Sequence, residues 1–342
     1  MKKTFEKRGK RLLLAVLAAA LFLPFLLSGC AVGESGEESG LSESGLSGTE
    51  AGESDKPSDN AEETEIEPMK TKRVILLAGQ SNAVGHTLAK FLPDSAGKIS
   101  PARVEEMKKG YPNIRMMFST NPFQSAPWEN TQFEPVTFGL GLKSANVTFG
   151  PEVGMAEYLN KAFPGEEFYI IKCASSGASL YGDWNPNMVS KHTNLCRQMT
   201  EFVKTALAEL EKDGSRAEIV AFCWMQGESD SDWGEPFYND PKLSGYEGLF
   251  RKLVEKLEAE FSDFLPEKGL AVIQAGISTY WKKATEINAA KKAFTEKREN
   301  SYFFQTYDLT WNLENNDNAH YDSAAMVTLG NRFGEYIEKA LS

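Results

Sequence analysis

Cysteine is scarce in this chain of 342 residues: four in all, and only Cys173, Cys196 and Cys223 once Cys30 is set aside. Three thiols cannot all pair, and residues 71–342 are enough to build a large core without covalent staples. No disulfide framework is expected, and the three read as buried free thiols. Histidine is scarcer still, with three residues. His192 and Cys196 share a helical face but lack further ligands, so no metal site is expected. An excess of basic charge is missing too. Lys and Arg number 37 against 48 Asp and Glu, a net of −11, which excludes the basic face that a nucleic-acid partner requires. There is no Gly-rich phosphate loop and no internal repeat. Long apolar runs are absent except for one, Leu12 to Leu27.

That run follows Lys2, Lys3, Lys7, Arg8, Lys10 and Arg11 and precedes Leu27-Ser28-Gly29-Cys30. A basic n-region, an apolar h-region and a small-residue cleavage site ending on cysteine describe residues 1–30 as a lipoprotein signal peptide. The run is short for a spanning helix. Cleavage would leave Cys30 as the lipidation site, so the mature chain is expected outside the cytoplasm, anchored to a bacterial membrane through that lipid. Residues 31–70 have no aromatic side chain and carry twelve acidic residues against two basic ones. Such a segment cannot bury enough apolar surface to offset its ordering entropy, so it reads as a flexible acidic Gly/Ser/Glu linker. The remaining 71–342 form one domain.

Within that domain, short apolar runs alternate with longer amphipathic stretches. The runs are Val74–Ala78, Phe168–Cys173, Ile219–Met225, Leu270–Ala275 and Tyr302–Tyr307, nearly continuous in hydrophobicity as strands covered on both faces must be. Helices are predicted over Pro151–Phe163, Lys191–Asp213, Pro241–Phe261, Ala284–Arg298 and Ser323–Leu341. The alternation predicts an α/β domain with a parallel sheet between helices. The stretch from Asn82 to Gly150 breaks the rhythm. It is dense in proline and aromatics, offers a short strand at Ile114–Phe118, and is expected to wall the active site.

Four polar clusters fall at strand ends or in the last loop before a helix. They are Gly79-Gln80-Ser81-Asn82, Ala174-Ser175-Ser176-Gly177-Ala178-Ser179, Gln226-Gly227-Glu228-Ser229-Asp230, and Asp317-Asn318-Ala319-His320. In an open parallel sheet, strand-end loops converge on the crevice at the carboxyl edge. The chemistry they fit is acyl transfer. Ser81 is the candidate nucleophile, His320 its base, and Asp317 the carboxylate that fixes the imidazole tautomer. The backbone amides of Ser81 and Gly177 and the side-chain amide of Gln226 are the expected oxyanion donors. Gly79-Gln80-Ser81-Asn82-Ala83 lacks the second glycine of the Gly-x-Ser-x-Gly elbow, and Asp and His lie three residues apart, unlike an α/β-hydrolase. His86 is read as serving the turn. Trp128, Trp184, Tyr280 and Trp281 are candidates for stacking on sugar rings, with rim packing as the alternative for each.

Leu77-Ala78-Gly79-Gln80-Ser81-Asn82, the stretch from Trp224 to Asp230 and Asp317-x-x-His320 resemble the SGNH (GDSL-type) hydrolase superfamily. Within it they resemble the sialate O-acetylesterase-like group, which includes carbohydrate esterase family 6. Gly150-Pro151-Glu152-Val153-Gly154 and Lys172-Cys173-Ala174 fit that group as well. The resemblance runs from Arg73 to the C-terminus. It implies a flavodoxin-like three-layer α/β/α sandwich on a five-stranded parallel sheet ordered 2-1-3-4-5. It further implies cofactor-free removal of O-acetyl groups from carbohydrate, such as acetylated xylan or sialic acid, through an acetyl-Ser81 intermediate. The alternative is a surface lipoprotein that binds carbohydrate on the same fold without turnover. Asn82 and Glu228 take supporting places, Glu228 as an organiser of the loops around Gln226. In that strand order Cys173 and Cys223 flank the first strand about 9.6 Å apart, too far for a disulfide. Two departures stand out: Ser176 occupies a position that is often glycine in the group, and Gln226 replaces the asparagine of the wider superfamily.

Overall fold

Val74, Ile75, Leu76 and Leu77 are all fully buried. Successive strand residues point to opposite faces, so both faces of this strand are covered. It is the first element, β1 (Thr71–Gly79), in a computed structural model that describes residues 69–93, 99–123, 128–187, 194–232, 245–312 and 317–342. The signal peptide, Cys30 and nearly all of the linker lie outside the described residues. So do His192 and the first residues of the helices expected from Lys191 and from Pro241.

After β1 the chain forms the one-turn helix α1 (Ser81–Val84), β2 (Thr87–Leu88), α2 (Pro101–Lys109) and β3 (Tyr111–Thr120). Three short strands follow, β4 (Trp128–Glu129), β5 (Glu134–Val136) and β6 (Thr148–Phe149). Then come α3 (Glu152–Ala162), β7 (Phe168–Ala174), α4 (Leu195–Leu210), β8 (Arg216–Met225) and α5 (Glu228–Ser231). The chain continues through α6 (Gly245–Glu260), β9 (Ala271–Ala275), α7 (Ala284–Glu296) and β10 (Ser301–Phe304). The hairpin β11 (Trp311–Asn312) and β12 (Asp317–Tyr321) precedes the final helix α8 (Ser323–Leu341). Asp322 caps that helix, its carboxylate accepting the Ala325 amide at 2.8 Å.

The main sheet is ordered β10-β9-β8-β1-β7-β3-β4, with β5 also paired to β3. From β10 to β3 every pairing is parallel. The five strands expected from the apolar runs are present in the order that the resemblance implied. The strand count is corrected: among the described residues the main sheet has eight strands, not five. The sixth parallel strand is β3, whose Ile114, Met116, Met117 and Phe118 are buried beside β7. Its apolar pattern is broken by Arg115 and preceded by Pro112, which shortened its signal in the sequence. Strands β4 and β5 pair antiparallel to β3 and cover what would otherwise be an open sheet edge.

Helices α3 and α8 pack on each other, α3 also against β3 and α8 against β8 and β9. Helix α4 packs against β7 and β8 and against α6, which in turn meets α7. Cys173 stands opposite Ala78 and Cys223 opposite Leu77, so the two thiols flank β1 on neighbouring strands. All three described cysteines are buried and unpaired, and burial pushes each thiol well above its ordinary range.

Candidate active site

Strand β1 ends on Gly79, where φ is +149° and a Cβ would lie 1.9 Å from the Met225 carbonyl oxygen of β8. Only glycine lets the chain pass this close and turn at once into α1. Gln80 donates its amide to that same carbonyl at 3.0 Å, and Ser81 becomes the first helical residue. Neither the Ser81 nor the Gly177 backbone amide has a hydrogen-bond acceptor among the described residues. Gly177 lies in the loop after β7, and the Ser175 amide ties that loop to the Gly79 carbonyl at 3.1 Å. Two unspent donors on adjacent strand-end loops are what a developing oxyanion needs.

Asp317 and His320 meet as the sequence predicts. His320 Nδ1 lies 2.6 Å from Asp317 Oδ2, while the other carboxylate oxygen accepts the Ala319 amide at 2.9 Å and the His320 amide at 3.3 Å. Burial works against ionising Asp317. The hydrogen bonds from the imidazole and the two amides outweigh it and hold the carboxyl below its ordinary value. An ionised Asp317 accepts a hydrogen bond from Nδ1–H, which fixes that tautomer and leaves Nε2 as the basic nitrogen.

Asn82 joins this hairpin to the Ser81 turn. Its side-chain carbonyl accepts the Tyr321 amide at 3.3 Å, and its Nδ2 donates to Glu228 Oε1 at 2.8 Å and to the Ala319 carbonyl at 3.4 Å. The residue after Ser81 is thus bonded to both residues flanking His320. No hydrogen bond joins Ser81 Oγ to His320 among the described residues. The His320 ring is instead stacked on His86, with centroids 4.5 Å apart and planes 10° from parallel. Ser81 itself is 9% exposed.

Gln226 is not placed as an oxyanion donor. It is fully buried, and its Nε2 faces Gln80 Oε1 at 3.1 Å, the Ala178 carbonyl at 3.1 Å and the Asp230 carboxylate. Its Oε1 accepts from the Tyr246 hydroxyl at 2.8 Å. Three acceptors already surround two N–H bonds, and turning the amide over would set oxygen against oxygen on that side. The side chain is spent on holding loops together. Glu228 does not reach Gln226 with its side chain. It fixes Asn82, and its other carboxylate oxygen is buried without a hydrogen-bond partner.

Beneath these loops lie two charged groups, Asp230 and Lys291, to which the sequence alone gives no role. Asp230 accepts the Leu180 and Tyr181 amides at 2.8 and 2.9 Å, and burial pushes its carboxyl up to about 6 against the pull of those bonds. Lys291 is fully buried and donates to the Gln226 and Ala275 carbonyls. Burial brings its ammonium down to about 7, against the opposing charges of Glu228 and Asp230. A signal for Lys291 existed: it falls on the apolar face of α7 with Ile287 and Phe294 at helical spacing. A further buried pair, Lys172 and Glu152, meets at 2.9 Å with both side chains at 0% exposure.

Of the aromatic candidates, Trp184 is fully buried edge-on to Trp224, and Trp128 stacks on Phe118. Tyr280 is 48% exposed and packs against Trp281 and Trp311. Trp311 belongs to the His320 hairpin. Among the described residues no three His, Cys, Asp or Glu side chains gather as a metal site, and no helix is long and apolar enough to cross a membrane.

Comparison with known proteins agrees with this fold. A protein from Arabidopsis thaliana of known structure is 19% identical, covering 78% of this chain and 98% of its own, with a TM-score of 0.55. The crystal structure of NanS is 17% identical over 80% of this chain and 98% of its own, with a TM-score of 0.52. At such identities both are evidence of a shared fold. No curated protein matches the sequence. Residues 71–339 match the family described as carbohydrate esterase, sialic acid-specific acetylesterase. That match takes in every strand of the sheet and all four polar clusters, so the chain belongs to this family and is a carboxylic ester hydrolase acting on carbohydrate acetyl groups.

Proposed function

We propose that this enzyme removes O-acetyl groups from a glycan such as acetylated xylan or an O-acetylated sialic acid, outside the cytoplasm, through an acetyl-Ser81 intermediate. The observation that carries the reading is Asn82, bonded on both sides of His320 while following Ser81 directly in the chain. Ser81 Oγ attacks the acetyl carbonyl as its proton passes to His320 Nε2. The Ser81 and Gly177 amides receive the oxyanion. Collapse expels the sugar oxygen, which takes the proton from His320. Water then repeats the sequence, releasing acetate and restoring Ser81. The Ser81–His320 hydrogen bond forms on substrate binding, since such bonds are commonly long or poorly aligned in empty sites. The exposed Tyr280 face, packed against a tryptophan of the His320 hairpin, suits a sugar ring next to the reacting ester.

Acetate release from acetylated xylan, O-acetylated sialic acid and acetylated peptidoglycan sugars tests this reading. Release from at least one is expected, at a rate well above that on a long-chain acyl ester. A parent enzyme that frees no acetate from any carbohydrate would overturn it.

The location rests on the basic, apolar and Leu27-Ser28-Gly29-Cys30 segments of the first thirty residues. In a bacterial host, the full-length protein is expected to fractionate with membranes, and Cys30→Ala to lose the lipid and its mass. An unmodified Cys30 in the membrane-free fraction would refute the anchor.

A further inference from the structure

Two of the three histidines in the chain meet face to face, and only one of them has a part in the chemistry described so far. His86 stands five residues after Ser81, just past Gly85 at the end of α1. Its ring lies parallel to that of His320 at 4.5 Å, and its Nε2 is 2.6 Å from Ser176 Oγ. Ser176 is held from the other side as well: its amide donates to Asn121 Oδ1 at 2.7 Å, and the Asn121 amide donates to the Ala174 carbonyl at 2.9 Å. The next residue after Ser176 is Gly177, whose amide is unspent. One side chain therefore touches both the base and the loop that carries an oxyanion donor.

We propose that His86 is a positioning residue, which sets the His320 imidazole by stacking and the Gly177 amide through Ser176. The inference rests on the Ser81–His320 reading of the site. It also gives Ser176 a reason to stand where the related group often has glycine: a glycine there offers His86 nothing to hold.

The stack works only if one ring stays uncharged, because His320 must accept a proton during turnover. The groups facing His86 are His320 and Asp317 from the hairpin, Ser176 from the loop after β7, and Lys172 within β7. Burial is the largest influence on His86. The His320 and Lys172 charges add to it and Asp317 opposes it, bringing the imidazole down to about 4. At neutral pH the ring is then a neutral surface against which an imidazolium can form, with its π face toward the charge.

Three substitutions separate the two contacts. His86→Phe keeps a ring for stacking and loses the bond to Ser176. His86→Gln keeps a polar group for Ser176 and loses the ring. His86→Ala loses both. On p-nitrophenyl acetate, His86→Ala is expected to lower kcat by roughly 10- to 100-fold with KM within about twofold, while Phe and Gln each recover part of the loss. Ser176→Ala is expected to cost about tenfold, and to cost little more when added to His86→Ala, because the two share one contact. The acid limb of kcat/KM gives a second readout. In the parent the limb steepens as pH falls through about 4, where His86 takes up a proton. In His86→Phe that steepening is lost. Circular dichroism on the same samples separates unfolding from titration.

A His86→Ala enzyme within twofold of the parent in kcat overturns the inference. So does a loss that is equal in all three variants and follows their melting temperatures. Failure of the underlying reading looks different: Ser81→Ala would remain active, and Ser176→Ala would abolish turnover, making Ser176 the nucleophile and His86 its base.

Discussion

Ser81→Ala is expected to lower kcat on p-nitrophenyl acetate by about 10⁴- to 10⁶-fold and to leave the fold unchanged. The size follows from what the hydroxyl does: without it no acetyl-enzyme forms, and the site is left with whatever the oxyanion donors and substrate binding achieve with water alone. The lack of structural cost follows from the contacts. Ser81 Oγ has no hydrogen-bond partner among the described residues, so alanine orphans nothing. The melting temperature should stay within about 2 °C of the parent, as expected for a change that touches neither core packing nor a buried polar network. A serine-reactive fluorophosphonate should label the parent at Ser81 and leave the alanine variant unlabelled. Turnover by Ser81→Ala at the parental rate would remove the nucleophile assignment altogether.

The largest expected loss of stability lies at Lys172 and Glu152. Both side chains are fully buried, and their contact at 2.9 Å links β7 to the first turn of α3. Lys172 also reaches the Leu140 carbonyl at 3.3 Å, and Glu152 accepts the Gly150 amide at 2.8 Å. Burial disfavours the Lys172 ammonium, and the Glu152 carboxylate restores part of it. Lys172→Met fits the same space but leaves a carboxylate in a dry interior, at a cost of about 3–5 kcal/mol. In a domain of this size that is a fall in melting temperature of roughly 6–20 °C. The double variant Lys172→Met, Glu152→Gln carries no unpaired charge and should recover a good part of the loss. A single Lys172→Met that melts with the parent would show that the pair contributes nothing net. The same ammonium is one of the charges that keep His86 neutral, so its removal should also ease protonation of that ring.

Much of the architecture could be read from residue patterns, for reasons visible in particular elements. Val74–Ala78 and Ile219–Met225 announce central strands because both faces are covered, and covered strands cannot alternate polar with apolar. Ser323–Leu341 is a helix over the predicted span because Asp322 caps it and its apolar face repeats cleanly. The run Tyr302–Tyr307 becomes strand only over Ser301–Phe304. Past that point Thr306 bonds back to the Gly276 carbonyl at 3.0 Å, and Tyr307 turns outward, 46% exposed. Strand β3 was legible only as a fragment, since its arginine and flanking prolines resemble loop chemistry.

The site divides in the same way. Asp317 and His320 are three residues apart, so their contact is local and spacing reveals it. The convergence of Ser81 with them depends on sheet topology, which the alternation of elements supplies. For Gln226 the motif shows only that an amide is present, and the surrounding acceptors show where its hydrogens go. Asp230, four residues further on, takes part of that amide. The stacking of His86 on His320 could not be read from the sequence, because a ring stacked on another ring leaves no period or spacing in the chain.

The way the hairpin is fastened also has a consequence for when the enzyme becomes competent. Every strand of the main sheet is complete by Phe304, yet the imidazole and its carboxylate arrive only with Asp317–Tyr321. Asn82 must then capture the Tyr321 amide across a sequence separation of 239 residues. A nascent chain halted before that hairpin would carry the reactive alcohol with nothing to deprotonate it. A finished sheet is therefore not enough for hydrolysis; the hairpin must be in place as well.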